Sequence, residues 1–180
     1  MAAPISVVIP THDAVATLPG TLHSVLPGLT TGLIRELVFA DDGTQAAIAE
    51  IADELGARLV RGPLAAGLAA AAGDWLLCLD ADTHLGGDWC RGLARHMSGE
   101  AGQAGYFPVR PRRAGIGPVL AAARMNGQAR LLGRPSAVQG LFLPRGLRAA
   151  AMPGGGLRDL ARAPALRGRF RAMEGLAEPG

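Results

Sequence analysis

The hydrophobic positions fall into short blocks that switch between two periods. Ile5-Ser6-Val7-Val8-Ile9 is a β-branched run stopped by Pro10, and from about Ala14 to Leu26 the residues Leu18, Leu22 and Val25 recur on one side of a helix. The unit then repeats. Ile34 to Ala40 runs apolar into Asp41-Asp42-Gly43, after which Ile48, Ile51, Ala52 and Leu55 hold helical spacing up to Gly56. Arg58-Leu59-Val60 predicts a third strand, Leu64 to Ala72 a small helix, and Trp75 to Leu79 a fourth strand. Such alternation predicts an α/β fold, a mostly parallel sheet with helices on both faces. Past residue 100 the pattern predicts a strand over Gly105 to Val109, a helix from about Pro118 to Leu132 and a strand over Ala137 to Leu143. Pro153 to Gly156 follows as a joint, then a helix over Leu157 to Met173 and a frayed end from Ala177 to Gly180.

In sheets of this kind ligands bind outside the carboxyl ends of the strands. Three polar clusters fall there: Pro10-Thr11-His12-Asp13, Asp41-Asp42-Gly43 and Asp80-Ala81-Asp82. The third is the sharpest, because the apolar run Trp75 to Leu79 ends abruptly in two carboxylates one residue apart. Carboxylates are costly to bury without a partner, so Asp80 and Asp82 point to a bound cation or a hydroxyl-rich ligand, and so to a metal-assisted site. His84 is a candidate third ligand. Helix capping is the competing use for all of these acids.

At 180 residues the chain is expected to form one domain, and 49% hydrophobic residues with 4% aromatics imply a core of small, close-packed side chains. A net charge of +3 hides an asymmetry. Residues 1–100 carry 5 Arg against 12 acids, whereas residues 101–180 carry 13 Arg against 3, and all 18 basic residues are Arg. No zinc-finger spacing or aromatic-basic motif accompanies the arginines, so nucleic acid is not an expected partner. Peripheral membrane contact and homo-oligomerisation both remain compatible with that charge. Cys78 and Cys90 match neither a disulfide framework nor a common metal motif. With no basic, apolar leader pattern and no apolar run of spanning length, a cytoplasmic protein is expected.

Three segments, in order, resemble the family-2 glycosyltransferases. Ile5 to Asp13 is similar to that family's opening VSVVIPTYN strand, Leu37 to Gly43 to its IVVDDGS strand, and Gly73 to Thr83 to its GEWLLFLDADT segment. The resemblance implies a Rossmann-like three-layer sandwich, residues 1–100 forming the nucleotide-sugar half and residues 101–180 a shortened acceptor-side half. It also implies sugar transfer, of the inverting type, from a nucleotide-diphosphosugar to an unknown saccharide, lipid or small-molecule acceptor. By position, Pro10, Thr11, His12, Asp41, Asp42, Arg61 and Asp80 would line the donor, with Asp42 accepting from the base and Arg61 near the diphosphate. Asp80 and Asp82 would hold the divalent ion, Mg2+ or Mn2+ given their hard oxygen donors. Gln139-Gly140 resembles the family's acceptor-side DQGLFVRR strand, but the Glu-Asp pair expected after it is missing, leaving Asp159 as the nearest candidate for the general base. The same departure supports an alternative, a catalytically impaired relative that serves as a nucleotide-binding or partner-binding module.

Overall fold

The computed structural model describes residues 3–43, 45–100, 102–111, 114–149 and 156–179. Four strands and three helices of the first half alternate as expected: β1 (Ile5–Pro10), α1 (Leu18–Thr30), β2 (Ile34–Asp41), α2 (Ala46–Leu55), β3 (Arg58–Arg61), α3 (Leu64–Ala70) and β4 (Trp75–Cys78). Then come β5 (Thr83–Gly86), α4 (Trp89–Gly99), β6 (Ala104–Tyr106), α5 (Ile116–Leu132), β7 (Leu141–Pro144), α6 (Leu157–Arg162), β8 (Phe170–Ala172) and β9 (Leu176–Pro179). Seven strands make one sheet in the order β3-β2-β1-β4-β7-β6-β8, and β5 pairs with β9 in a separate ribbon. The first four strands are mutually parallel, while β7 runs antiparallel to both β4 and β6. This is the Rossmann-like α/β fold, a mostly parallel sheet between helical layers.

Both sheet faces are covered along β1, β4 and β7, so these strands read as nearly continuous apolar runs. Along β4, Trp75 and Leu77 pack on one side with Leu18, Leu22 and Val25 of α1, Ile48 of α2 and Leu93 of α4. Leu76 and Cys78 face the other side, with Leu64 and Leu68 of α3, Ala129 of α5 and Leu160 of α6. Burial pushes the Cys78 thiol up to about 12, which leaves it an inert core group. At the seam between parallel and antiparallel strands, Trp75 stacks on Phe142 with ring centroids 4.7 Å apart.

Four sequence expectations are corrected. Helix α1 starts at Leu18 rather than near Ala14, because Pro19 suits a helical first turn and Asp13 takes a positive φ of 49° ahead of it. The strand expected from Ala137 starts at Leu141, since Ala137–Gln139 forms a 3-10 turn boxed by Ser136 and Gln139 and Gly140 has φ 59°. The helix expected to reach Met173 stops at Arg162: Ala163, preceding Pro164, is forced extended, and the chain goes on to form β8. The end expected to fray is β9, whose residues 176–179 pair with β5. Of the predicted joint, residues 153–155 lie outside the described residues.

Candidate functional site

The order β2-β1-β4 brings the carboxyl ends of three strands side by side, so two acid clusters share one sheet edge. At the β1 and β2 ends every strong group has an internal partner. Asp41 is buried; its Oδ1 accepts from the Thr11 hydroxyl at 3.2 Å and from the Gly43 N–H at 3.3 Å, and its Oδ2 is paired with Arg61. Thr11, fully buried, also donates its N–H to the Ala40 carbonyl at 3.0 Å, continuing the β1–β2 ladder beyond Pro10. Asp42 and His12 stand outside this knot, both exposed, with His12 Nδ1 3.1 Å from Asp42 and Nε2 3.3 Å from Asp13.

The β4 end is built differently. Asp80 to Thr83 forms a turn closed by the Thr83 N–H on the Asp80 carbonyl at 3.0 Å and pinned by the Thr21 hydroxyl of α1 on the Ala81 carbonyl at 2.8 Å. Its backbone is therefore held from two directions. Its carboxylates are not: Asp80 Oδ1 accepts one N–H, from Ala81 at 3.0 Å, and Asp82 Oδ1 is buried with no hydrogen-bond partner. The neighbouring Thr83 hydroxyl is likewise buried and unpartnered. Burial pushes the Asp80 carboxyl above the ordinary carboxylate range and the charge of Asp82 adds to the rise, while the Ala81 N–H and the charge of Arg158 oppose it.

A buried carboxylate oxygen without a donor is an expensive group, and a divalent cation is the ligand that satisfies it best. Asp80 and Asp82 supply two hard oxygen donors, the set expected for Mg2+ or Mn2+ with phosphate and water completing the shell. Among the described residues no group of three or more His, Cys, Asp or Glu is placed to hold a metal. His84, the candidate third ligand, lies in β5 with its ring against Gly20 of α1, where an added Cβ would fall 2.6 Å from Nε2.

The expected acceptor-side residues Gln139 and Gly140 are both buried. Gln139 is fully buried; its Nε2 donates to the Phe107 carbonyl and to Asn126 Oδ1, both at 3.3 Å, and its Oε1 accepts from the Ser136 N–H at 2.9 Å. Gly140 lies so close to the β4 end that an added Cβ would meet Leu79 at 2.9 Å and Phe107 at 3.2 Å. Asp159 is exposed in the first turn of α6. Its neighbour Arg158 is the residue that sequence reasoning missed. It comes from α6, yet its charge acts on Asp80, and only the folding of α6 back over the sheet brings the two together.

Residues 6–117, well over half of the chain, match the sequence profile of glycosyl transferase family 2. The chain belongs to that family. This member of glycosyl transferase family 2 matches no curated protein in sequence. In fold it is similar to the crystal structure of S. aureus TarS 1-349, with TM-score 0.68, 13% identity, and 98% of this chain against 60% of that one. It is also similar to glucosyl-3-phosphoglycerate synthase from Mycobacterium tuberculosis, solved with Mn2+, UDP and glucosyl-3-phosphoglycerate. There the TM-score is 0.64 and the identity 22%, covering 99% of this chain and 70% of that one. TarS 1-349 has been solved with UDP-GlcNAc as well. The family-2 chain thus spans about three fifths of the TarS length it matches.

Proposed function

We propose that this family-2 glycosyltransferase transfers a sugar from a nucleotide diphosphate donor, of the uridine type, with Mg2+ or Mn2+ held between Asp80 and Asp82. One observation carries the reading: a buried, partnerless carboxylate oxygen on Asp82 beside a second carboxylate whose ionisation is already disfavoured, at the end of the central β4 strand. Two such groups gain most from a cation. The bound ion would neutralise charge on the departing nucleotide diphosphate. The UDP-bearing structures of similar fold, one of them with Mn2+, support the donor class.

The remaining residues divide by partner. The Asp41–Arg61–Thr11 knot fixes the carboxyl ends of β1 and β2, leaving exposed Asp42 and His12 to meet the base and ribose along that edge together with Pro10. Arg158 of α6, whose charge acts on Asp80, is the cation assigned to the donor's phosphates in this reading. For an inverting transfer a carboxylate must take the acceptor proton. No Asp or Glu occurs between Glu100 and Asp159, so Asp159, at the head of α6, is the candidate. The missing Glu-Asp pair after Gln139-Gly140 favours a second reading, a relative that binds nucleotide and no longer transfers.

Calorimetric titration with UDP, with and without MnCl2, tests the site: binding that requires Mn2+ and is lost in Asp82→Ala is expected, and metal-independent binding or none overturns it. UDP release from UDP-glucose and UDP-GlcNAc, followed with and without added sugar acceptors, then divides the readings. Turnover supports the transferase, and tight binding with no release supports the binding module.

A further inference from the structure

Helix α5 (Ile116–Leu132) is apolar on two opposite sides. Ala122 and Ala129 face the sheet and are buried, and Asn126 beside them ties the helix down by donating to the Val109 carbonyl at 2.9 Å and accepting the Val109 N–H at 2.8 Å. On the far side Ile116, Leu120, Ala123, Gly127 and Leu131 recur at spacings of three and four, a single stripe along the helix. Ile116, Leu120 and Leu131 are 88%, 68% and 83% exposed, and Val119 beside them 56%. Single exposed leucines are ordinary, but a continuous stripe over four turns of one helix marks a surface that meets something apolar.

The surrounding charge says what. At about 100° per residue Arg124 and Arg130 fall on the two flanks of the stripe. In sequence Arg110, Arg112 and Arg113 precede the helix and Arg134 follows it, and residues 101–158 contain nine Arg and not one Asp or Glu. An apolar stripe edged by arginines is the pattern of a helix that lies in the plane of an anionic lipid surface, its leucines among acyl chains and its guanidinium groups among the headgroup phosphates. A second copy of the chain is a poor occupant. Twofold pairing through α5 would set Arg124 and Arg130 against the same residues of the partner with no acid from this stretch to offset them. No helix among the described residues is long and apolar enough to cross a membrane, so contact through α5 would be parallel to the surface.

We infer that the outer face of α5 docks the protein on anionic membranes, with Ile116, Leu120 and Leu131 as the inserted residues and Arg124 and Arg130 as headgroup contacts. This does not depend on the proposed catalytic reading. Flotation of the full chain with phosphatidylcholine vesicles, with and without phosphatidylglycerol, tests it. Binding to the phosphatidylglycerol vesicles, released by high salt, is expected. The double variant Leu120→Glu/Leu131→Glu should lower the vesicle-bound to free ratio roughly tenfold or more, and Arg124→Gln/Arg130→Gln by less. Both variants should keep the wild-type circular dichroism and melting curve, since the altered side chains face away from the sheet. Absence of flotation, or an unchanged ratio in a folded Leu120→Glu/Leu131→Glu protein, overturns the inference. So does a wild-type dimer in light scattering that this variant splits, which would give the face to a second copy.

Discussion

Two pairs of aspartates sit at one sheet edge, a strand apart, and the protein treats them in opposite ways. The buried member of the first pair, Asp41, is saturated by Thr11, Gly43 and Arg61, whereas Asp82 keeps a buried oxygen with nothing on it. Sequence position alone makes the pairs look equivalent, since each ends an apolar strand. The difference lies in where opposite charge and hydroxyl donors are delivered. Arg61 closes β3 next to β2 in the sheet, while the nearest cation acting on Asp80 has to come from α6, far along the chain. Internal saturation makes Asp41 a strut, and the unmet valence of Asp82 is what the proposed cation would fill.

Substitutions at the two pairs should therefore diverge. The largest effect is expected for Asp82→Ala, which should weaken Mn2+-dependent UDP binding by more than about a hundredfold in calorimetry while leaving the melting temperature unchanged or raised. Asp41→Ala should do the reverse. It strips the Thr11 hydroxyl and the Gly43 N–H of their acceptor and frees Arg61, costing about 1–3 kcal/mol, a fall of several degrees in a thermal melt. Equal destabilisation by both substitutions would erase the contrast.

Asp80→Asn gives a subtler reading of the same idea. A carboxyl held above its ordinary range in the folded state binds its proton more tightly there than in the unfolded chain, so the metal-free fold loses stability as pH rises through that range. The neutral amide removes this cost. A metal-free melting temperature higher than wild type, on the order of a degree, is expected, together with loss of the shift that MnCl2 gives the wild type. Smallest and most discriminating is Arg158→Ala. Removing the cation whose charge acts on Asp80 should tighten bare Mn2+ binding and loosen UDP binding, each by roughly threefold. Changes of the same sign would show that Arg158 faces the carboxylates alone and takes no part in holding nucleotide.

Much of the first half was legible because its signals are local. Apolar runs stopped by Pro10, Asp41 and Asp80 mark strand ends, and a parallel sheet brings such ends together on one edge. The second half resisted for physical reasons. Pro164 and the extended Ala163 cut α6 to six residues within a sequence of helical composition, and the ribbon strands β5 and β9 are four residues each, too short to show a period. The roles of Gln139 and Arg158 depend on partners distant in sequence, Asn126 and Phe107 for one and Asp80 for the other. No local pattern encodes those.

The β5–β9 ribbon sets the order in which this molecule can mature. Thr83, the residue right after Asp82, has its strand partner at Pro179, so closing that pair means gathering in nearly all of the intervening chain. A nascent chain can lay down the nucleotide-side sheet from neighbouring strands well before then. The loop that carries Asp80 and Asp82 gains its flanking brace last, so competence to capture a cation should lag behind the appearance of secondary structure during refolding.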